Sequence, residues 1–184
     1  MIEIIGNNKY SLLLNDIHNS LQEYSKKYRK ICRKICKYGS IKIIVNKNKI
    51  GSDATWYPVE REIHIKPLDT NRFIQIFIFE MTNAYNDNKT KIVDNKLNNR
   101  DYLRGRFGSE KLNFVAAREE IEYHGMKISN IIIDEMIQKN IKSDIFNQNL
   151  KWNIVDFNDY FNLQLENNHC YRFIDYYNKY KFNF

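Results

Sequence analysis

The residues best suited to chemistry fall in two short windows. The first is Phe79-Glu80-Met81-Thr82-Asn83, inside the apolar run IQIFIFEMTNAYN. A helix holds zinc by presenting ligands at i and i+4, with a carboxylate beside the first to take a proton from the bound water. Glu80 supplies such a carboxylate, but its neighbours are Phe79, whose ring binds no cation, and Asn83, whose amide is a poor zinc donor. No zinc is therefore expected at this window, and the sequence implies no metal or cofactor. The second window, AAREEIEYH, carries Glu119, Glu120, Glu122 and His124, with Arg118 and Tyr123 alongside. Glu80 set against Glu119 or Glu120 is a pair suited to general acid–base work, with Asn83 or His124 orienting a substrate. The same residues fit a structural reading, in which Glu80 is buried against Arg118 or hydrogen-bonded by Asn83 and Tyr123. An unpaired buried carboxylate costs several kcal/mol, so a partner is expected on either reading. They also fit a hard cation held by Glu80, Asn83 and a glutamate.

The elements that must position these windows can be read from periodicity. Apolar residues at Leu14, Ile17, Leu21, Tyr24, Tyr28, Ile31 and Ile35 alternate in threes and fours, predicting one long amphipathic helix from Leu12 to Lys37. Ile41 to Val45 and Arg61 to Lys66 read as strands, the second alternating with period two and stopped by Pro67. Asp69 or Thr70 caps a helix from about Asn71 to Tyr85 that is apolar on every side, so it should be buried. Residues 86 to 110 read as a polar, Asn-rich connection, with RDYLRGRFGSE a loop or flap. A long helix is expected from Lys111 to about Lys139, and two short aromatic helices within Trp152 to Phe184. This order gives an α+β fold, mostly helical by residue count, with a small antiparallel sheet packed on helices in one domain spanning 1–184. Its parts are a basic helix (1–39), sheet plus core helices (40–139) and an aromatic helical end (140–184).

Charge is unevenly placed. The chain carries +7 overall, and residues 26 to 37 hold seven cations with no acid, so the rest is neutral. Lys26, Lys27, Lys30, Arg33, Lys34 and Lys37 form a basic surface on the first helix that reads either as a solvated face of a Lys-rich chain or as a surface for an acidic protein, phosphates or an anionic membrane. Nucleic acid is the less favoured partner, because two of the tyrosines interleaved with these cations fall on the apolar seam. The cysteines, Cys32, Cys36 and Cys170, are odd in number and lack C-x-x-C spacing, which points to buried thiols rather than a disulfide framework. His18, His64, His124 and His169 are dispersed, so each alone is weak evidence for a ligand. There is no basic n-region and no membrane-spanning run, so a soluble protein without a cleaved signal is expected.

Residues 51 to 86 taken together resemble the core of the zincin superfamily of metallopeptidases. A Gly-containing turn with an aromatic segment, Gly51 to Tyr57, leads to a strand, Glu62 to Ile65, and then to the motif helix, Asn71 to Asn86. The motif is degenerate, reading FEMTN where the family has HExxH. Phe79-Glu80-Met81-Thr82-Asn83-Ala84 with the later Arg118-Glu119-Glu120-Ile121-Glu122-Tyr123 also resembles small bacterial secreted effectors and toxin-like proteins. The resemblance implies that Glu62 to Ile65 is an edge strand along a substrate cleft, with His64 lining it. It further implies a secreted pseudo-metallopeptidase that acts by binding a host or competitor protein, with a protein of the target cell or of the secretion machinery as its partner. The alternatives are a metal-independent or hard-metal hydrolase using Glu80 with a glutamate from residues 119 to 122, and a basic nucleic-acid-binding protein.

Overall fold

The computed structural model describes residues 1–6, 8–46, 52–95, 97 and 107–181. These fall into two compact units, Met1–Tyr85 with Gly125–Trp152, and Asn86–His124 with Asn153–Phe184. The fold is α+β and mostly helical.

The first unit opens with β1 (Ile2–Ile5), α1 (Lys9–Tyr24) and α2 (Lys26–Cys36). The single helix expected from Leu12 to Lys37 is therefore two. Ser25 interrupts it: its backbone turns extended (φ −98°, ψ 115°) and its hydroxyl caps α2 by accepting from Tyr28 N at 3.0 Å. The Ser25 hydroxyl in turn donates to Glu135, which also accepts from Lys27 N at 3.0 Å. A long-range carboxylate thus stabilises a break that apolar spacing alone does not reveal, since Leu14, Ile17, Leu21, Tyr28, Ile31 and Ile35 are all buried as the spacing predicts.

The strands β2 (Ile41–Val45), β3 (Ala54–Tyr57) and β4 (Glu62–Ile65) complete a sheet of order β1-β2-β4-β3. It is mixed rather than antiparallel. β1 runs parallel to β2 and β2 parallel to β4, with only β3 and β4 antiparallel. Parallel pairing of β1 with β2 requires a crossover, which α1 and α2 provide. β4 is an interior strand, since β3 covers its far side with Trp56 opposite Ile63 and Thr55 opposite His64. The expected edge position of Glu62 to Ile65 is thus corrected: the edges are β1 and β3. The expected turn through Lys47 to Gly51 lies outside the described residues.

Asp69 starts α3 (Thr70–Asn95), its carboxylate accepting from Arg72 N at 3.0 Å. Phe73, Ile74, Phe77, Ile78 and Met81 are fully buried, as an all-round apolar helix demands. Each such side chain contributes about 1.5–3 kcal/mol. The helix continues ten residues beyond Tyr85, where a polar connection is expected. An Asp87–Lys91 ion pair at i,i+4 (2.8 Å), burial of Val93 and the Asp94–Arg118 pair support this extension. The proposed flap, apart from 107–110, lies outside the described residues.

α4 (Glu110–Gln138) supplies residues to both units, as α3 does. In the first unit Ile132, Ile133 and Met136 join the core built on the sheet and on α1 to α3. In the second, α5 (Phe157–Glu166) and α6 (Tyr171–Lys181) enclose a smaller core of Phe114, Val115, Phe161, Phe173 and Tyr177. The aromatic-rich end therefore forms two short ring-packing helices.

Candidate functional site

The basic helix α2 is fixed at both ends. Glu135 holds its first turn, and Arg61 donates to the carbonyl of Ile35 in its last turn and to those of Gly39 and Ser40 beyond it, at 2.9–3.2 Å. Arg61 reaches them from a left-handed conformation (φ 56°) just before β4, a position where a side chain other than glycine is uncommon. Lys26, Lys30, Arg33, Lys34 and Lys37 are exposed, Lys27 is half-buried, and none forms an ion pair among the described residues. Lys34 instead lies 4.4 Å from the centre of the Tyr85 ring.

The FEMTN window is packed. Glu80 is buried, and Asn83, one turn on, donates to its carboxylate at 3.3 Å. Phe79 stands 5.3 Å from the Trp152 ring, filling with an aromatic contact the place where a metal helix would carry its first imidazole. Thr82 is fully buried and donates to the Phe79 carbonyl at 2.7 Å. Gly125 of α4 lies against this face so closely that a Cβ would sit 2.8 Å from the Thr82 hydroxyl and 3.2 Å from the Phe79 ring. His64 is bound to Glu62 at 2.9 Å, with Tyr57 edge-on to its ring at 4.9 Å.

The second window is organised differently. Arg118, a candidate partner for Glu80, forms two bonds of 2.7 and 2.8 Å to Asp94 and lies over Phe173. Burial pushes the Asp94 carboxyl up against the pull of that guanidinium. Tyr123 donates to the Val155 carbonyl at 2.7 Å. Glu120 and His124, one turn apart on the exposed side of α4, line an open cleft of about 330 Å³ with Lys89 and an apolar floor that includes Ile92, Val93 and Ile121. Glu80 belongs to the first unit and Glu119, Glu120 and Glu122 to the second.

Glu119 and Glu122 meet a residue that spacing does not connect to them. Glu119 is fully buried. Its carboxylate receives Tyr160 OH at 2.9 Å on one oxygen, and His169 Nδ1 at 3.0 Å and the Cys170 thiol at 3.5 Å on the other. Glu122 pairs with Arg172 and lies 3.8 Å from His169 Nε2. Burial pushes the Glu122 carboxyl up, Arg172 pulls it back down, and Glu119 adds a further upward push. Burial and the Glu119 charge push the Cys170 thiol up to about 12, so it is no activated nucleophile. The same causes hold Tyr160 protonated. His169 sits in the turn between α5 and α6, which Asn168 closes in a left-handed conformation (φ 61°) that asparagine tolerates. Glu119 and Glu122 were visible as i,i+3 neighbours; His169, 50 residues from Glu119, carries no spacing signal that could have joined it to them. No known protein family, curated protein or solved structure matches this chain.

Proposed function

We propose that the protein acts by binding rather than by catalysis, engaging an acidic protein surface through the basic face of α2. The observation that carries this reading is the set of five exposed cations between Lys26 and Lys37 with no ion pair among the described residues. Such a face is costly to keep. Lys26 with Lys30, Lys30 with Lys34, and Arg33 with Lys37 are like-charge pairs one turn apart, each destabilising by about 0.2–0.5 kcal/mol. Lys26 and Lys27 also stand at the positive end of the helix dipole. An acidic partner relieves both effects and is drawn to the face by it.

A protein partner is favoured over nucleic acid because Tyr28 is fully buried and Tyr24 half-buried, which leaves Tyr38 alone of the three interleaved tyrosines exposed, too few rings for a platform of stacked bases. The packed FEMTN window supports a structural role for Glu80. In the setting implied by the effector resemblance, the partner is a protein of a host or competitor cell.

The test compares wild type with a Lys30→Glu, Arg33→Glu, Lys34→Glu variant for binding to a fluorescent polyglutamate peptide and to duplex and single-stranded DNA at equal salt. Binding of the peptide that falls at least tenfold in the variant supports the reading. Preference for DNA would transfer the surface to nucleic acid, and unchanged binding in the variant would remove it.

A further inference from the structure

We infer that Glu119, Glu122 and His169 form a binding site for a divalent first-row transition-metal ion, with Arg172 standing in for that ion when it is absent. This lies beyond the binding role proposed for α2 and rests on different residues. The three side chains each place a ligand-type atom within 4.8 Å of the other two. Glu122 and His169 Nε2, 3.8 Å apart, are the direct ligands: an ion at metal–oxygen and metal–nitrogen distances of about 2.0–2.2 Å fits between them, water completes its shell, and Glu119 holds the imidazole from behind.

The tautomer of His169 is decided by its neighbours. Arg172 bonds His169 Nε2 at 3.3 Å, and a guanidinium can only donate, so Nε2 presents its lone pair. The proton is therefore on Nδ1, which donates to Glu119 at 3.0 Å. A carboxylate behind the imidazole, with the far nitrogen free to ligate, is the arrangement that orients histidine at metal centres. Glu119 is itself held by Tyr160 on its other oxygen. Glu122 and the His169 lone pair then converge on one Arg172 nitrogen, which occupies the place of a cation.

Charge points the same way. The Arg118 charge that also reaches Glu122 is matched by Asp94, so two largely buried carboxylates face the Arg172 guanidinium, and with a neutral imidazole the group carries net negative charge away from bulk water. The Arg172 side chain is 51% exposed and can swing outward to admit an ion, and His169, at 38%, opens the path to solvent. One imidazole with carboxylates suits zinc, manganese or iron(II).

Chelator-treated full-length protein titrated with Zn²⁺ and with Mn²⁺ by calorimetry tests the site. One ion per chain is expected. Arg172→Ala, a half-exposed substitution that keeps the fold, removes the competing guanidinium and should tighten binding at least threefold. Glu122→Gln and His169→Gln should weaken it at least tenfold, and Glu119→Gln about tenfold through loss of imidazole orientation. Failure of Arg172→Ala to bind either ion would overturn the inference, as would equal affinity in His169→Gln.

Discussion

Two buried glutamates, one in each unit, have opposite surroundings. Glu80 is bonded by a residue one turn away, Asn83, beneath a Phe79–Trp152 contact. Glu119 is bonded by Tyr160 and His169, 41 and 50 residues distant, in a cluster whose outer members reach solvent. The window whose spacing most suggests chemistry is packed as core, and the window with no complete motif assembles the richer set of donors. Ligand sets are tertiary objects, and the residues that share a site need not share a window of sequence.

Three substitutions or titrations sharpen or break this contrast. The largest effect is expected for Glu119→Ala, which strands the Tyr160 hydroxyl and leaves Glu122, His169 and Arg172 unbalanced. Urea unfolding should show a loss of about 3–5 kcal/mol. A loss below about 1 kcal/mol would mean that the cluster does not hold α4 to the turn before α6. Phe79→Ala removes half-buried aromatic packing and should cost about 2 kcal/mol, less than a fully buried ring. Negligible cost there would break the description of the FEMTN window as packed core.

The smallest effect concerns pH. Burial lowers the pKa of His18 below its ordinary 6.5, and Tyr28 OH, itself held protonated by burial, lies 2.8 Å from Nδ1. Because the folded value is the depressed one, this contribution is present above pH 6.5 and is lost as pH falls through the folded value. Stability curves of wild type and His18→Phe between pH 7.5 and pH 4.5 should converge toward the acid end. Parallel curves would show that His18 is not part of the pH response.

Much of the fold was legible in the sequence where burial follows periodicity: the apolar seam of α1 and α2, the buried body of α3, the span of α4 and the aromatic ends. What escaped depends on distant partners. The break at Ser25 is stabilised by Glu135, 110 residues on. The extension of α3 through Asn-rich sequence is fastened by Asp94 to Arg118. β1 is too short to announce itself and is recruited by pairing with β2, and the sheet is mixed because β2 also runs parallel to β4 while β3 runs antiparallel to it. At the candidate sites, the exposure of the basic face followed from helical phase. The joining of His169 to Glu119 did not, since it depends on how α5 and its turn fold back on α4.

The clamping of α2 has a mechanical consequence. With Glu135 gripping one end and Arg61 the other, the helix is a short bar set in two brackets, and the charges along it keep a fixed spacing of one turn, about 5.4 Å. The acidic partner proposed for this face would therefore meet cations rooted at a set pitch, so the backbone surrenders little flexibility on contact and the ordering cost falls on the lysine side chains. Two acidic surfaces of equal total charge should be told apart by the pitch at which their carboxylates recur. Loosening either bracket, by Glu135→Gln or Arg61→Gln, should blur that discrimination before it weakens attraction.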